Sequence, residues 1–512
     1  MTSGCQTDER TGLWLAVALV LTALAGCSAS TIEKPHGSGG GSSSAGDSST
    51  GGPILGGVGG TMTRPNGRCV DQNDKSLGCR KVDCPADSLP STTSVSGTVY
   101  DPAGRVPLYN AVVYVTEPAS LPPLPARVQC ESCSAFFPKS ATAVALTGAD
   151  GKFRLTDMPV GDGISLIIQL GKWRRVVELP TIAPCTDTPL DADSTRLPRN
   201  STEGDLPKIA VTTGGSDALE CLLKKIGVDA EEFSSDSGNG RVNLFSGYRA
   251  AKSMISDGTT VALKPAEELW ASSDHMLDYD MMLMGCEGEG GLWKDPVKLK
   301  DAILRPVAMQ LEVRKYADLG GRIFGSHWHN RWINSDDTTP DNPYPPMGPP
   351  VASFAKSAGG VPDLDVSVDD SFPKGLAFRD WLVNVHASTA PGKLDLVEVE
   401  HTVDSVNPSL ARRWIYRDAG ELDGTLLPAM VQYFSFTTPV GQSECGRMVF
   451  SDLHVSFGGG DDAATPFPER CDASPDSELS AQEKALEFMI FDLSSCIQKE
   501  DAEIEMPVVV VK

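Results

Sequence analysis

The sequence predicts a multidomain chain: a small all-β sandwich, then a three-layer α/β domain with a mainly parallel sheet, both carried on a disordered N-terminal tether. Three observations carry this expectation. Short alternating strands broken by Pro-Ala-Gly and Ala-Asp-Gly turns fill 94–205. Apolar strand runs alternate with helical patterns over 206–500. Residues 27–65 are dominated by Gly and Ser and have too little apolar surface to offset the entropy of ordering.

The N-terminus sets the compartment. LWLAVALVLTALA (13–25) is uncharged, apolar and too short to cross a bilayer comfortably, which reads as the core of a signal peptide spanning 1–26. LAGC (24–27) resembles the bacterial lipobox. That resemblance implies cleavage before Cys27, lipid on Cys27 and attachment to the membrane through it. Ser28 in the next position resembles the sorting pattern of an outer-membrane lipoprotein of the cell envelope. Residues 27–65 then act as a flexible tether.

Export implies oxidation, so most of the 11 cysteines beyond Cys5 and Cys27 should pair. Six fall before residue 206: Cys69, Cys79 and Cys84, which mark a Cys-rich segment over 66–93, and Cys130, Cys133 and Cys185. Five follow: Cys221, Cys286, Cys445, Cys471 and Cys496. The simplest division closes three bridges upstream, and two bridges and one thiol downstream. The pair in CESC (130–133) lacks a second CxxC at zinc-finger spacing, so it reads as a disulfide-tied loop.

Composition excludes one class of partner. The formal charge of −24, from 44 basic and 68 acidic residues, opposes binding to nucleic acid.

In the first module, SVSGTVYDPAGRVPLYNAVVYV (94–115) and TGADGKFRLTDMPVGDGISLIIQLGKWRRVVEL (147–179) supply the strands. The order of these motifs resembles the carboxypeptidase regulatory-like, or transthyretin-like, domain. The resemblance implies an accessory spacer or ligand-presenting sandwich without catalytic residues. Residues 94–205 contain no histidine, so no zinc peptidase pair is available there.

In the second module, LPKIAVTT (206–213), RVNLF (241–245), YDMMLMG (279–285), GRIFGS (321–326) and GRMVFSDLH (446–454) read as strands. ALECLLKKIG ends in a capping-type glycine, and Ser480 with Glu483 forms a capping box that opens AQEKALEFMIFDLSSCI. Residues 501–512 are a C-terminal tail. In such sheets ligands lie beyond the C-terminal strand ends. A strand ending in YDMMLMGCEGEGG, a helix ending in YADLGG and a strand ending in Gly325-Ser326-His327 resemble the class I glutamine amidotransferase-like fold, in its ThuA-like branch. DSFPKGLAFRDWL (370–382) resembles a further segment of that family, with Phe372 where a histidine is usual. The resemblance implies a flavodoxin-like sheet. It also implies that the amide-hydrolysing thiol is missing, because Ser326-His327 occupies the turn of a Gly-x-Cys nucleophile. Cys286, next to Glu287 and Glu289, reads as half of a disulfide or as a buried thiol.

The candidate ligand rim is therefore His327, Trp328, His329, Glu287, Asp452 and His454, all at predicted strand ends. Histidines two apart on extended chain point the same way, which suits a divalent metal such as zinc held by His327, His329 and Asp452. Trp328 and Trp332 beside them suit a carbohydrate ligand instead. Three readings stay open: histidines satisfied within the fold, a non-catalytic carbohydrate-binding or surface interaction protein, and a metal-assisted hydrolase of a carbohydrate-type substrate.

Overall fold

The structure, a computed structural model, describes residues 74–130, 133–287, 304–333, 348–454, 464–471, 478–502, 504–506 and 508–510. The expected signal peptide and tether, with Cys27 and Cys69, lie outside the described residues.

The upstream part holds two antiparallel-rich sheets built from β1 (Ser94–Thr98), β2 (Val112–Val115), β3 (Ala143–Leu146), β4 (Lys152–Thr156), β5 (Ser165–Leu170), β6 (Trp173–Glu178), β7 (Asp187–Pro189) and β8 (Gly204–Asp205). Their orders are β4-β1-β7 and β3-β2-β5-β6-β8. The alternation read from the sequence survives in β4, whose phenylalanine and leucine are buried between exposed neighbours.

Downstream come β9 (Ile209–Thr212), α1 (Leu219–Lys225), β10 (Phe233–Ser235), β11 (Val242–Ser246), β12 (Met281–Met284), α2 (Leu304–Asp318) and β13 (Arg322–Ser326). The chain continues through β14 (Ala352–Val361), β15 (Leu364–Val368), α3 (Pro373–Asn384), β16 (Lys393–Leu396), β17 (Val399–Val406), β18 (Ala411–Arg417), β19 (Met430–Thr438), β20 (Gly446–Ser451) and α4 (Ala481–Ser494). The main sheet runs β10-β11-β9-β12-β13-β20-β19-β18-β15-β16. From β10 to β20 every pairing is parallel. From β20 to β16 every pairing is antiparallel. The expectation of a mainly parallel sheet therefore holds for one half only. Strand β19 shows why the other half escaped the sequence: almost every residue of MVQYFSFTT is buried, so no alternation marks it.

The sandwich and the α/β part share one hydrophobic cluster within a single compact unit, residues 62–512. Helix α4 is the strut. Its Ser480 and Glu483 make the expected capping box, and Phe488 at its centre packs against Tyr109 of the sandwich as well as Phe378, Trp381 and Trp414. Trp381 Nε1 donates to the Pro107 carbonyl across the same boundary (2.7 Å).

The disulfides correct one expectation. Cys84–Cys185 closes upstream and Cys221–Cys471 downstream, but Cys130–Cys445 and Cys133–Cys496 join the two parts. The CESC cysteines are thus not tied into their own loop. That segment lies along the α/β part, where the Val128 amide donates to Leu277 (3.0 Å) and Arg127 pairs with Asp274 and Asp278. Spacing carries no record of such a docking.

One buried feature of this junction titrates. Asp101 Oδ1 accepts from the amides of Arg105 and Val106, but its Oδ2 and both oxygens of Glu487 on α4 are buried without a hydrogen-bond partner among the described residues. Burial, then the charge of Asp101, raises Glu487 well above the carboxylate range, with Glu483 adding and Arg105 and Lys484 opposing. Burial pushes Asp101 up to about 6. Both folded values exceed the unfolded ones of 3.8 and 4.5, so the fold binds protons that the unfolded chain has lost. This contribution is complete below the unfolded values and disappears as pH rises through the folded ones. Glu487→Gln removes the burden and places an amide donor near Asp101. It should raise stability by about 1–3 kcal/mol at pH 8, and by much less at pH 4, as read from thermal melts at the two values.

Candidate functional site

The parallel register brings three strand ends together. Met284 of β12 aligns with Gly325 of β13, and Ser326 aligns with Ser451 of β20. Cys286, His327 and Asp452 therefore leave the sheet side by side at its C-terminal end, followed by His454. Close backbone packing fixes the turn beneath them. A Cβ on Gly214 would sit 2.4 Å from the Cys286 carbonyl, and one on Gly285 would sit 2.4 Å from that of Asp217. Only glycine allows loops after β9 and β12 to approach this closely. The Ser216 amide also turns inward, onto the Cys286 carbonyl (2.9 Å), rather than out toward an anion.

His327 follows β13 with a left-handed φ of +36° and opens a 3-10 helix, His327–Trp332. Its ring is buried between two partners. Nδ1 lies 3.4 Å from Cys286 Sγ, and Nε2 lies 3.7 Å from Glu400 Oε2. The His454 ring stands 5.3 Å away, centroid to centroid, and the half-buried Trp328 ring is equally close. Burial, reinforced by His454 and His329, lowers the His327 pKa to about 3. The contact with Glu400 is thus between a neutral ring and a carboxyl near neutral pH, not an ion pair.

His329 goes elsewhere. Two residues along a 3-10 helix of about three residues per turn leave on diverging directions, unlike two residues along a strand. Its Nε2 donates to the Gly285 carbonyl (3.1 Å) and its Nδ1 accepts from Trp332 Nε1 (2.9 Å). A carbonyl only accepts and an indole N–H only donates, so this tautomer is fixed and neither nitrogen is left for a ligand. Burial lowers its pKa to about 4. Trp332, 2 % exposed and closed against Trp270, offers no ring face to a sugar.

Of the other predicted rim residues, Glu287 accepts from the Tyr248 amide (2.9 Å), and burial pushes its carboxyl up to about 7. Asp452 is wholly buried. Its Oδ2 accepts from the Thr402 amide (2.8 Å), its Oδ1 has no hydrogen-bond partner among the described residues, and burial pushes it up to about 8. His454 is lowered to about 4 by burial, and its Nε2 is buried without a hydrogen-bond partner among the described residues. Phe372 lies in the core, edge-on to Trp414.

The structure thus gathers Cys286, His327 and His454, whose ligand atoms all lie within 4.8 Å of one another. It does not bring His329 to them. Two participants were not anticipated: Asp217, which accepts from Ser326 Oγ (2.7 Å) under the site, and Glu400. Glu400 comes from β17, a strand not among those read from the sequence.

No family model matches this chain, and no curated protein matches it. Among solved structures it is similar to a ThuA-like protein from Bacteroides uniformis at 10% identity, covering 52% of this chain and 87% of that one with a TM-score of 0.26. It is also similar to a chain of a type II cohesin–X-dockerin complex from Acetivibrio cellulolyticus at 17% identity, covering 29% of this chain and 79% of that one with a TM-score of 0.13. At these scores neither likeness carries an argument about what the chain does.

Proposed function

We propose that the chain is an exported protein, held in the cell envelope as an outer-membrane lipoprotein through Cys27, whose α/β part binds a carbohydrate-class ligand beyond the C-terminal ends of the parallel strands. The single observation behind this reading is the convergence of Cys286, His327, Asp452 and His454 on one end of the sheet, with the Trp328 ring beside them. Imidazole and carboxyl groups exchange hydrogen bonds with hydroxyls, and an indole face packs on the apolar face of a sugar ring. The strand order β11-β9-β12-β13-β20 favours a flavodoxin-like, ThuA-like reading of the parallel half, and the sandwich then serves as a spacer. The four disulfides that close among the described residues suit an oxidising compartment.

Two measurements test this. Cys27→Ser should abolish fatty-acid labelling and release the chain from the membrane fraction; an equally labelled band in the variant rules the anchor out. The purified protein should bind members of a glycan panel, with Trp328→Ala weakening binding by about tenfold. Binding to none of the glycans, or binding indifferent to Trp328, overturns the ligand reading.

A further inference from the structure

We propose that Cys286, His327 and His454 hold one divalent ion of the zinc class, and that Glu400 is the carboxylate that orients His327 toward it. This rests on the strand-end crevice being the functional face, and it gives that face a Lewis-acidic centre.

Geometry comes first. The three ligand atoms lie within 4.8 Å of one another, each at the end of a different, adjacent parallel strand. With metal–sulfur and metal–nitrogen bonds of about 2.3 and 2.0–2.1 Å, a tetrahedral ion places sulfur about 3.5 Å from a ligating nitrogen. The distance from Cys286 Sγ to His327 Nδ1 is 3.4 Å. A thiolate with two imidazoles is a soft set that selects zinc-class ions over calcium or magnesium.

Two further observations point to a ligand. His454 Nε2 is buried without a hydrogen-bond partner among the described residues, a cost that a folded protein normally avoids. Nine of the ten described cysteines are in disulfides, and Cys286 alone keeps its thiol, buried beside two histidines. In a chain this oxidised, a thiol held out of any bridge calls for a reason, and coordination supplies one.

Glu400 completes the arrangement. A ligating histidine generally donates its second ring N–H to a carboxylate or carbonyl, which fixes the tautomer and the ring plane. His327 turns Nδ1 to Cys286, and its Nε2 lies 3.7 Å from Glu400 Oε2, so a small shift of that carboxylate brings it into hydrogen-bond reach; with the proton then on Nε2, the Nδ1 lone pair faces the ion. His329 is excluded from the ligand set by its partners Gly285 and Trp332, and Asp452 by placement, since the ligand atoms that lie within 4.8 Å of one another are those of Cys286, His327 and His454. Three protein ligands leave a fourth position, which water or a hydroxyl of the bound ligand fills. Binding expels one proton, from the Cys286 thiol.

The test uses the full chain, stripped with chelator and titrated with Zn(II) or Co(II). One equivalent should bind, and the Co(II) form should show thiolate-to-cobalt charge transfer in the near ultraviolet with intense visible bands of a tetrahedral centre. Cys286→Ser and, at the less enclosed position, His454→Ala should each abolish that spectrum. Glu400→Gln should keep the stoichiometry but weaken Zn(II) affinity by about ten- to a hundredfold. Glu400→Asp should recover part of it, and the melting temperature of the metal-free Gln variant should match the parent. A parent that binds neither ion overturns the whole proposal and leaves the crevice to be judged by the glycan panel. Binding that survives both ligand variants places the ion elsewhere and also overturns it. Full affinity in Glu400→Gln removes Glu400 alone.

Discussion

Phe488→Ala lowers the unfolding free energy by about 3–5 kcal/mol, the cost of deleting a fully enclosed aromatic ring from a core that cannot collapse onto the space. Phe488 is 4 % exposed. It meets Tyr109 at 5.8 Å, Phe378 at 4.8 Å, Trp381 at 5.1 Å and Trp414 at 6.2 Å, so rings from the sandwich, α3 and β18 all lose their common partner. Phe378 and Trp381 stand on α3 and Trp414 on β18, and the two tryptophans are also pinned by hydrogen bonds, Trp381 Nε1 to the Pro107 carbonyl and Trp414 Nε1 to Ser435 Oγ. They cannot swing in to fill the void. Urea unfolding with the disulfides intact checks the prediction. The midpoint should fall while the slope stays near that of the parent, because the surface exposed on unfolding is almost unchanged. A loss below about 1 kcal/mol would mean that the two parts of the chain are held together by Cys130–Cys445 and Cys133–Cys496, and not by packing.

The parts of this fold visible in the sequence are those whose burial is one-sided or whose ends are chemically marked. Helix α4 was legible from Ser480 and Glu483, and α1 from the glycine behind it, Gly227, which adopts a φ of +98°. The strand ends carrying Cys286, His327, Asp452 and His454 were legible because apolar runs stop there at polar residues. The ligand grouping was not. It turns on whether 327–329 is strand or 3-10 helix, and that depends on His329 finding Gly285 and Trp332. Glu400 was invisible for a different reason. Val397, Val399 and Val403 do alternate with polar residues around it, but which residue of β17 reaches the crevice is set by its pairing with β14, which shifts register at two places and leaves no mark in the sequence. The cross-links of Cys130 and Cys133 depend on docking, over sequence separations of 315 and 363 residues, and short spacing rules do not reach that far.

Asp492→Ala should cost a further about 3–5 kcal/mol, by leaving two buried cations without their anion. Asp492, on the last turn of α4, accepts from Lys374 Nζ through Oδ1 (2.5 Å) and from Arg447 Nη1 through Oδ2 (3.0 Å). Lys374 is 1 % exposed and Arg447 is fully buried. Burial works to raise the Asp492 carboxyl, but Lys374 and Arg447 outweigh it and hold the group below the usual range. Glu500, 3.5 Å from Arg447 Nε, compensates that guanidinium in part, so Lys374 suffers the larger loss. The network lies at the opposite end of the sheet from the candidate site, since Arg447 is the second residue of β20 and Asp452 follows its last. Two consequences separate charge burial from simple loss of contact. Asp492→Asn, which keeps the volume but not the charge, should cost nearly as much as alanine. The double change Lys374→Met with Asp492→Leu, which removes the pair and keeps the packing, should recover most of the loss in urea unfolding. A double variant as unstable as Asp492→Ala would show that Arg447 alone dictates the need for the carboxylate.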